Sequence, residues 1–271
     1  MAKKQLNEMS FLDHLEELRW LLVRSTSAVL IMAVVTYFFS DFIFDTIIFA
    51  PTSTSFFTYT FFCDLSHQLG ITDSICITDL PFIIQNTSME GQINMFIWTC
   101  ITAGFILAFP FILWELWKFI SPALYEKERK NVRVFIFIAS ILFFLGVLFG
   151  YYVIVPMSIN FSATFSISKM VQNQFTIDSY ISMMKTSVIA SGLFFELPVI
   201  IYFLTKLGLV TPLFLRKYRK YSVVIVLLIS AIVTPPDVVS QIIVAIPMLL
   251  IYEVSIFISV LVYKNKTKEN V

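Results

Sequence analysis

Asp13, Glu16 and Glu17 stand within five residues of one another, directly ahead of an apolar run over 20–39. The cytosolic flank of a membrane-crossing helix is ordinarily rich in Lys and Arg, so three carboxylates there need a purpose. Looking for helical partners separates them. If Ser10 caps a helix and Asp13 completes the capping box, Glu16 pairs with Arg19 at i,i+3, whereas Glu17 meets Trp20 and Leu21 and has only His14 as a polar neighbour. The stretch 119–130 repeats the pattern: if it is helical after Pro122, Glu126 reaches Lys130 at i,i+4, while Glu128 faces Asn131 and Val132. Two unpaired carboxylates, each beside an apolar run, suit a ligand carrying paired guanidinium groups. Arginine keeps its charge and offers a planar fork that matches a carboxylate with two hydrogen bonds, which lysine does not. The plainer reading makes both of them solvated surface acids.

Three further acids, Glu115, Glu196 and Glu253, fall inside apolar runs. A lone carboxylate in a bilayer is costly, so each must face protein or a wet cavity, or take a proton. Glu115 lies within one turn of Lys118 and is expected at the interface. Glu196 lies deeper, just ahead of Pro198, on the same helical face as Lys185; a protonated helix–helix hydrogen bond or a buried pair are its structural alternatives. Pro110, Pro156, Pro198 and Pro247 are expected to kink or end their helices.

Nucleophile, metal-ligand and phosphate-loop patterns are missing. The only histidines are His14 and His67, and with seven glycines there is little to build a phosphate-binding loop. The chain is therefore expected not to be an enzyme and to need no cofactor or metal.

The elements that position these residues follow from composition. Of 271 residues 58% are hydrophobic and 14% charged, and the mean hydropathy is +0.85. A soluble domain of this size cannot cover so much apolar surface. Six runs approach the ~20 residues that span a bilayer core of roughly 30 Å, at about 20–39, 93–117, 134–157, 180–204, 221–233 and 238–263. The fifth is the shortest, with ~20 Å of uncharged helix at 1.5 Å per residue. The expected fold is an all-α, six-span integral membrane protein forming a single domain over 1–271, with cytosolic loops at 118–133 and 206–220 and an outside loop at 41–92.

With six spans, 17 of the 19 basic residues fall on one side and only Lys169 and Lys185 on the other, which puts both termini in the cytosol. No cleavable signal or transit pattern is evident, so the first span is expected in the mature protein. Location is read as a bacterial cytoplasmic membrane, with an organelle-encoded copy as the lesser alternative. The net charge of +1 says nothing about partners, because opposite faces cancel in the sum. The 41–92 segment has no Lys or Arg and holds Cys63 and Cys76; Cys100 lies in the second span. Thirteen residues apart on an oxidising side, the first two either form a disulfide worth ~3 kcal/mol by loop closure or stay as two unpaired thiols.

At this point the chain resembles the TatC family, the membrane receptor component of the twin-arginine protein translocase. The resemblance rests on HLEELR at 14–19, FISPALYEKER at 119–129, FELP at 195–198, TPPDVVSQ at 234–241 and IPM at 246–248 followed by Tyr252 and Glu253. It implies a concave, glove-shaped bundle of six helices with spans five and six short. It also implies a site for the Arg-Arg pair of signal peptides at Glu17 and Glu128, with Phe119 and Glu115 beside it and Pro122 in the same loop. Glu196, Glu253, Gln241 and Asp237 become candidate polar positions within or next to the membrane, and Pro51 a structural proline of the outside loop.

Implied partners are twin-arginine signal peptides of folded cargo, single-span TatA-type and TatB-type proteins, and further copies of the chain in a receptor complex, with no nucleic acid. Export would draw on the proton-motive force. The chain departs from the pattern in placing Trp20 where a basic residue is common and in a longer, Phe-rich outside loop. The competing class is a small proton- or cation-coupled secondary transporter using Glu196 and Glu253, but no internal repeat or paired broken helices support it.

Overall fold

In the computed structural model, residues 11–68, 76, 80–120, 132–168, 173–234 and 238–269 are described. The apolar runs become helices: α1 (Phe11–Phe38), α3 (Gly91–Ile120), α4 (Val132–Phe149), α6 (Ile177–Phe195), α7 (Leu197–Leu207), α9 (Arg219–Val233) and α10 (Val238–Glu269). Shorter ones are α2 (Phe57–Gln68), α5 (Val155–Thr164) and α8 (Pro212–Lys217). Among the described residues five helical stretches are long and apolar enough to cross a membrane: His14–Phe38, Gly91–Ile120, Arg133–Thr164, Ile177–Leu207 and Ser240–Lys264.

The run at 221–233 lies in α9, whose 15 residues extend only ~22 Å. The sixth span is not short: its apolar stretch Ser240–Lys264 alone has 25 residues, and α10 runs on to Glu269. The fold is helical as expected, with one short ladder added among the described residues. Phe82–Gln85 (β1) and Asn173–Thr176 (β2) form a two-stranded parallel ladder, Phe82 opposite Asn173 and Gln85 opposite Thr176.

The prolines act in two ways. Pro156 and Pro198 sit in the first turn of α5 and α7, where a missing N–H costs nothing, and each follows an interruption of the α-helix: a π-turn at Gly150–Ile154 and a turn at Glu196. Pro110 and Pro247 lie inside continuous helices.

By contacts the chain groups into two units, 1–39 with 100–140, and 40–99 with 141–271. In the first, α1 and α3 touch closely at Gly104, where an added Cβ would come within 2.6 Å of the Ala33 nitrogen and 2.8 Å of the Val29 oxygen. Only glycine permits that approach.

In the second unit, Ile154, Phe194, Val226, Val244 and Met248 form a buried core among α6, α9 and α10. The Ser191 hydroxyl on α6 donates to the Gly146 carbonyl on α4 at 2.7 Å, and Thr205 and Ser259 hydrogen-bond at 2.8 Å. The segment after α1 is tied down by tyrosines. Tyr151 and Tyr180 donate to the carbonyls of Ile47 and Ile48, and Tyr59 donates to those of Pro51 and Pro156. Pro51 is itself buried, in a 3-10 turn.

Candidate functional site

Residues 17, 20, 21 and 24 fall at i, i+3, i+4 and i+7, so α1 presents Glu17, Trp20, Leu21 and Arg24 on one face. Glu115, Lys118 and Phe119 of α3 face them by the same periodicity. Together they line a cleft of about 280 Å³.

Charge in the cleft is unevenly spent. Glu115 is almost fully buried, at 4% exposure, and accepts from Arg24 Nη1 at 3.2 Å and from Lys118 Nζ at 2.5 Å. Two cations thus neutralise one buried carboxylate, as burial requires. Glu17 has no hydrogen-bond or ion-pair partner among the described residues. The walls are aromatic: His14 stacks on Phe119 with ring centroids 4.4 Å apart, and the guanidinium groups of Arg19 and Arg24 lie 5.8 and 6.0 Å from the Trp20 ring centre. This is a surface that accommodates arginine side chains by face contact as well as by charge.

The sequence expectation for Glu16 changes. Glu16 and Arg19 form no ion pair; Arg19 turns over Trp20 instead, since cation–π contact competes with an exposed pair of low value. What distinguishes Glu17 from Glu16 is therefore place: Glu17 lines the cleft and Glu16 is exposed outside it. Arg24 and Trp20 are cleft residues that the sequence reading passed over, one as a mere topological charge and the other as a departure. Their i+3 and i+7 spacing from Glu17 was the available signal. Glu128, Pro122 and Asp237 lie outside the described residues.

Glu196 stands at the turn between α6 and α7, 6% exposed, and its Oε1 has no hydrogen-bond partner among the described residues. Lys185 does not answer it: its Nζ approaches the Met95 sulfur at 3.9 Å. Eleven residues of helix separate the two, about 16 Å at 1.5 Å per residue, so a shared face does not bring them within reach. Glu253, half-exposed, pairs with Arg219 at the start of α9. Gln241 donates to the Leu227 carbonyl at 3.0 Å, joining α10 to α9. Cys63 and Cys76 are bonded to each other, and Cys100 is a buried free thiol.

A family model described as Sec-independent protein translocase protein (TatC) matches residues 13–247. The chain belongs to the TatC family. It is 42% identical to the protein of that name from Blattabacterium sp. subsp. Periplaneta americana, over 97% of this chain and 100% of that one. It is 33% identical to Sec-independent protein translocase protein TatCy of Bacillus subtilis, over 100% and 96%. A crystal structure of the twin arginine translocase receptor TatC superposes with a TM-score of 0.70 at 32% identity, covering 92% of this chain and 99% of that one. As a TatC-family member the chain is a multi-pass helical membrane protein of a protein translocase and not an enzyme. Nothing in these relatives supports a secondary transporter.

Proposed function

We propose that this chain is the receptor for twin-arginine signal peptides and the core subunit of the Sec-independent translocase, exporting folded proteins at the expense of the proton-motive force. One observation carries the binding part: in an aromatic-walled cleft, Glu115 is neutralised by Arg24 and Lys118, while Glu17 keeps an uncommitted charge among the described residues. A peptide guanidinium entering there gains a carboxylate without displacing an internal cation. Glu128 supplies the second carboxylate on the sequence resemblance alone. The likeness to Sec-independent translocase proteins and to a crystallised twin arginine translocase receptor supports the reading.

The 17-to-2 division of basic residues supports a bacterial cytoplasmic membrane location with both termini in the cytosol. Single-span TatA-type and TatB-type proteins and further copies of the chain are the proposed partners.

The test is crosslinking of a twin-arginine peptide to the purified full chain at fixed salt. Each charge-assisted contact is worth roughly 1.5–3 kcal/mol, a factor of about ten or more. Glu17→Ala and Glu128→Ala should each lose that much, as should a Lys-Lys peptide on the unaltered chain. Glu16→Ala and Glu126→Ala should bind like the parent. Equal binding by all four variants would move the site elsewhere.

A further inference from the structure

Cys63 and His67 lie one turn apart on α2, and Cys76 returns from the chain beyond it to the same point. His67 Nε2 is 3.9 Å from the Cys63 sulfur and 3.6 Å from the Cys76 sulfur. In a tetrahedral zinc site, with Zn–S of ~2.3 Å and Zn–N of ~2.0–2.1 Å, the sulfur–nitrogen edge is ~3.6 Å and the sulfur–sulfur edge ~3.8 Å. Both sulfur–nitrogen edges already have close to that length. Only the sulfur–sulfur bond stands between this cluster and a three-ligand metal site.

The platform is fixed and open. The first turn of α2 is anchored by Thr58 Oγ1 donating to the Tyr152 carbonyl and by Tyr59 donating to those of Pro51 and Pro156. His67 is exposed and both cysteines are half-buried, so an ion has access while the ligands keep their directions. The sequence reading saw no metal-ligand pattern because the third ligand is set by where the chain returns and not by a regular spacing.

We infer that Cys63, His67 and Cys76 form a redox-gated site for a zinc-class divalent cation, closed while the disulfide stands and opened by its reduction. An external dithiol supplies the two electrons: its two sulfurs end in a disulfide of their own, and its two protons pass to the Cys63 and Cys76 sulfurs. The cation then displaces those two protons to water as it binds both thiolates and the neutral imidazole, and water fills the fourth position. One crosslink replaces another, so the 63–76 loop stays closed in either state.

The experiment uses the full chain in detergent carrying Cys100→Ala, which leaves only these two thiols. Oxidised protein, and protein reduced with dithiothreitol and then freed of it under nitrogen, are titrated with Co²⁺ and followed by the visible bands of tetrahedral cobalt and the thiolate charge-transfer band. One Co²⁺ per reduced chain and none per oxidised chain is expected, with Zn²⁺ displacing the cobalt. Cys76→Ser should lower the charge-transfer intensity per bound cobalt by about half or more, and His67→Ala should weaken binding at least about tenfold. A reduced chain that binds no Co²⁺, or a His67→Ala variant that binds it as tightly as the parent, would overturn the site. The oxidised-against-reduced comparison is made on one polypeptide, so a misfolded variant cannot mimic either result.

Discussion

Arg24 on α1 and Glu115 on α3 are 91 residues apart in sequence and 3.2 Å apart in space, joined by a hydrogen bond from the guanidinium to the buried carboxylate. The cleft therefore contains one arginine–carboxylate pair of its own before any ligand arrives. In the proposed peptide site, that pair occupies Glu115 and leaves Glu17 as the carboxylate to be tested.

Replacing Glu115 with Gln should release Arg24 and Lys118 from their common partner and leave Glu17 as the nearest anion of the cleft. Arg24 then competes with the peptide for Glu17, and crosslinking to a twin-arginine peptide should fall about tenfold. Adding Arg24→Gln should recover most of the loss, a coupling of ~1–2 kcal/mol between neighbouring sites. Purely additive losses in the double variant would show that Arg24 does not compete for Glu17.

Gly104→Ala tests what brings the two walls together. Its Cβ would meet backbone atoms of Ala33 and Val29 below 3.0 Å, so the helices must part. Overpacking of this kind costs about 1–3 kcal/mol. Thermal unfolding in detergent should show a lower midpoint and peptide binding should weaken; an unchanged midpoint would mean the contact yields without cost.

Among the described residues, buried Glu196 has one carboxylate oxygen unpartnered and no ion pair to lose when neutralised. Glu196→Gln should therefore leave thermal stability and peptide binding intact while impairing export in cells, because the amide keeps the shape and loses the charge or proton occupancy. Export at the parental rate would reduce Glu196 to a structural residue.

Tyr59 is 2% exposed and its hydroxyl serves two carbonyls, while burial raises the phenol above its ordinary pKa. Tyr59→Phe leaves both acceptors without that donor at a cost of about 1–3 kcal/mol. Limited proteolysis should then cut the 41–68 segment faster than in the parent, with peptide binding at the α1–α3 cleft unchanged. Equal cleavage rates would show that packing alone holds the turn at Pro51.

Hydropathy by itself determined that this is a helical membrane protein, since length and apolarity of a run decide whether a helix can cross a bilayer, whatever its neighbours do. The family was legible too, because HLEELR, FISPALYEKER and TPPDVVSQ are contiguous strings that survive without tertiary information. Local periodicity also marked Glu17, though for an incomplete reason: Glu16 turned out to be unpaired with Arg19 as well.

Tertiary structure decided the rest. Counting offsets along one helix cannot find a partner on another, so the bridging of Glu115 between Arg24 and Lys118 emerged only when α1 met α3 at Gly104. The same limit hid the Glu253–Arg219 pair, the β1–β2 ladder and the approach of Cys76 to His67. It also misdirected Lys185 toward Glu196, because a shared helical face says nothing about reach and the two are about 16 Å apart along the axis. Contacts between residues distant in sequence depend on where the chain returns, which packing of whole helices determines and no short stretch encodes.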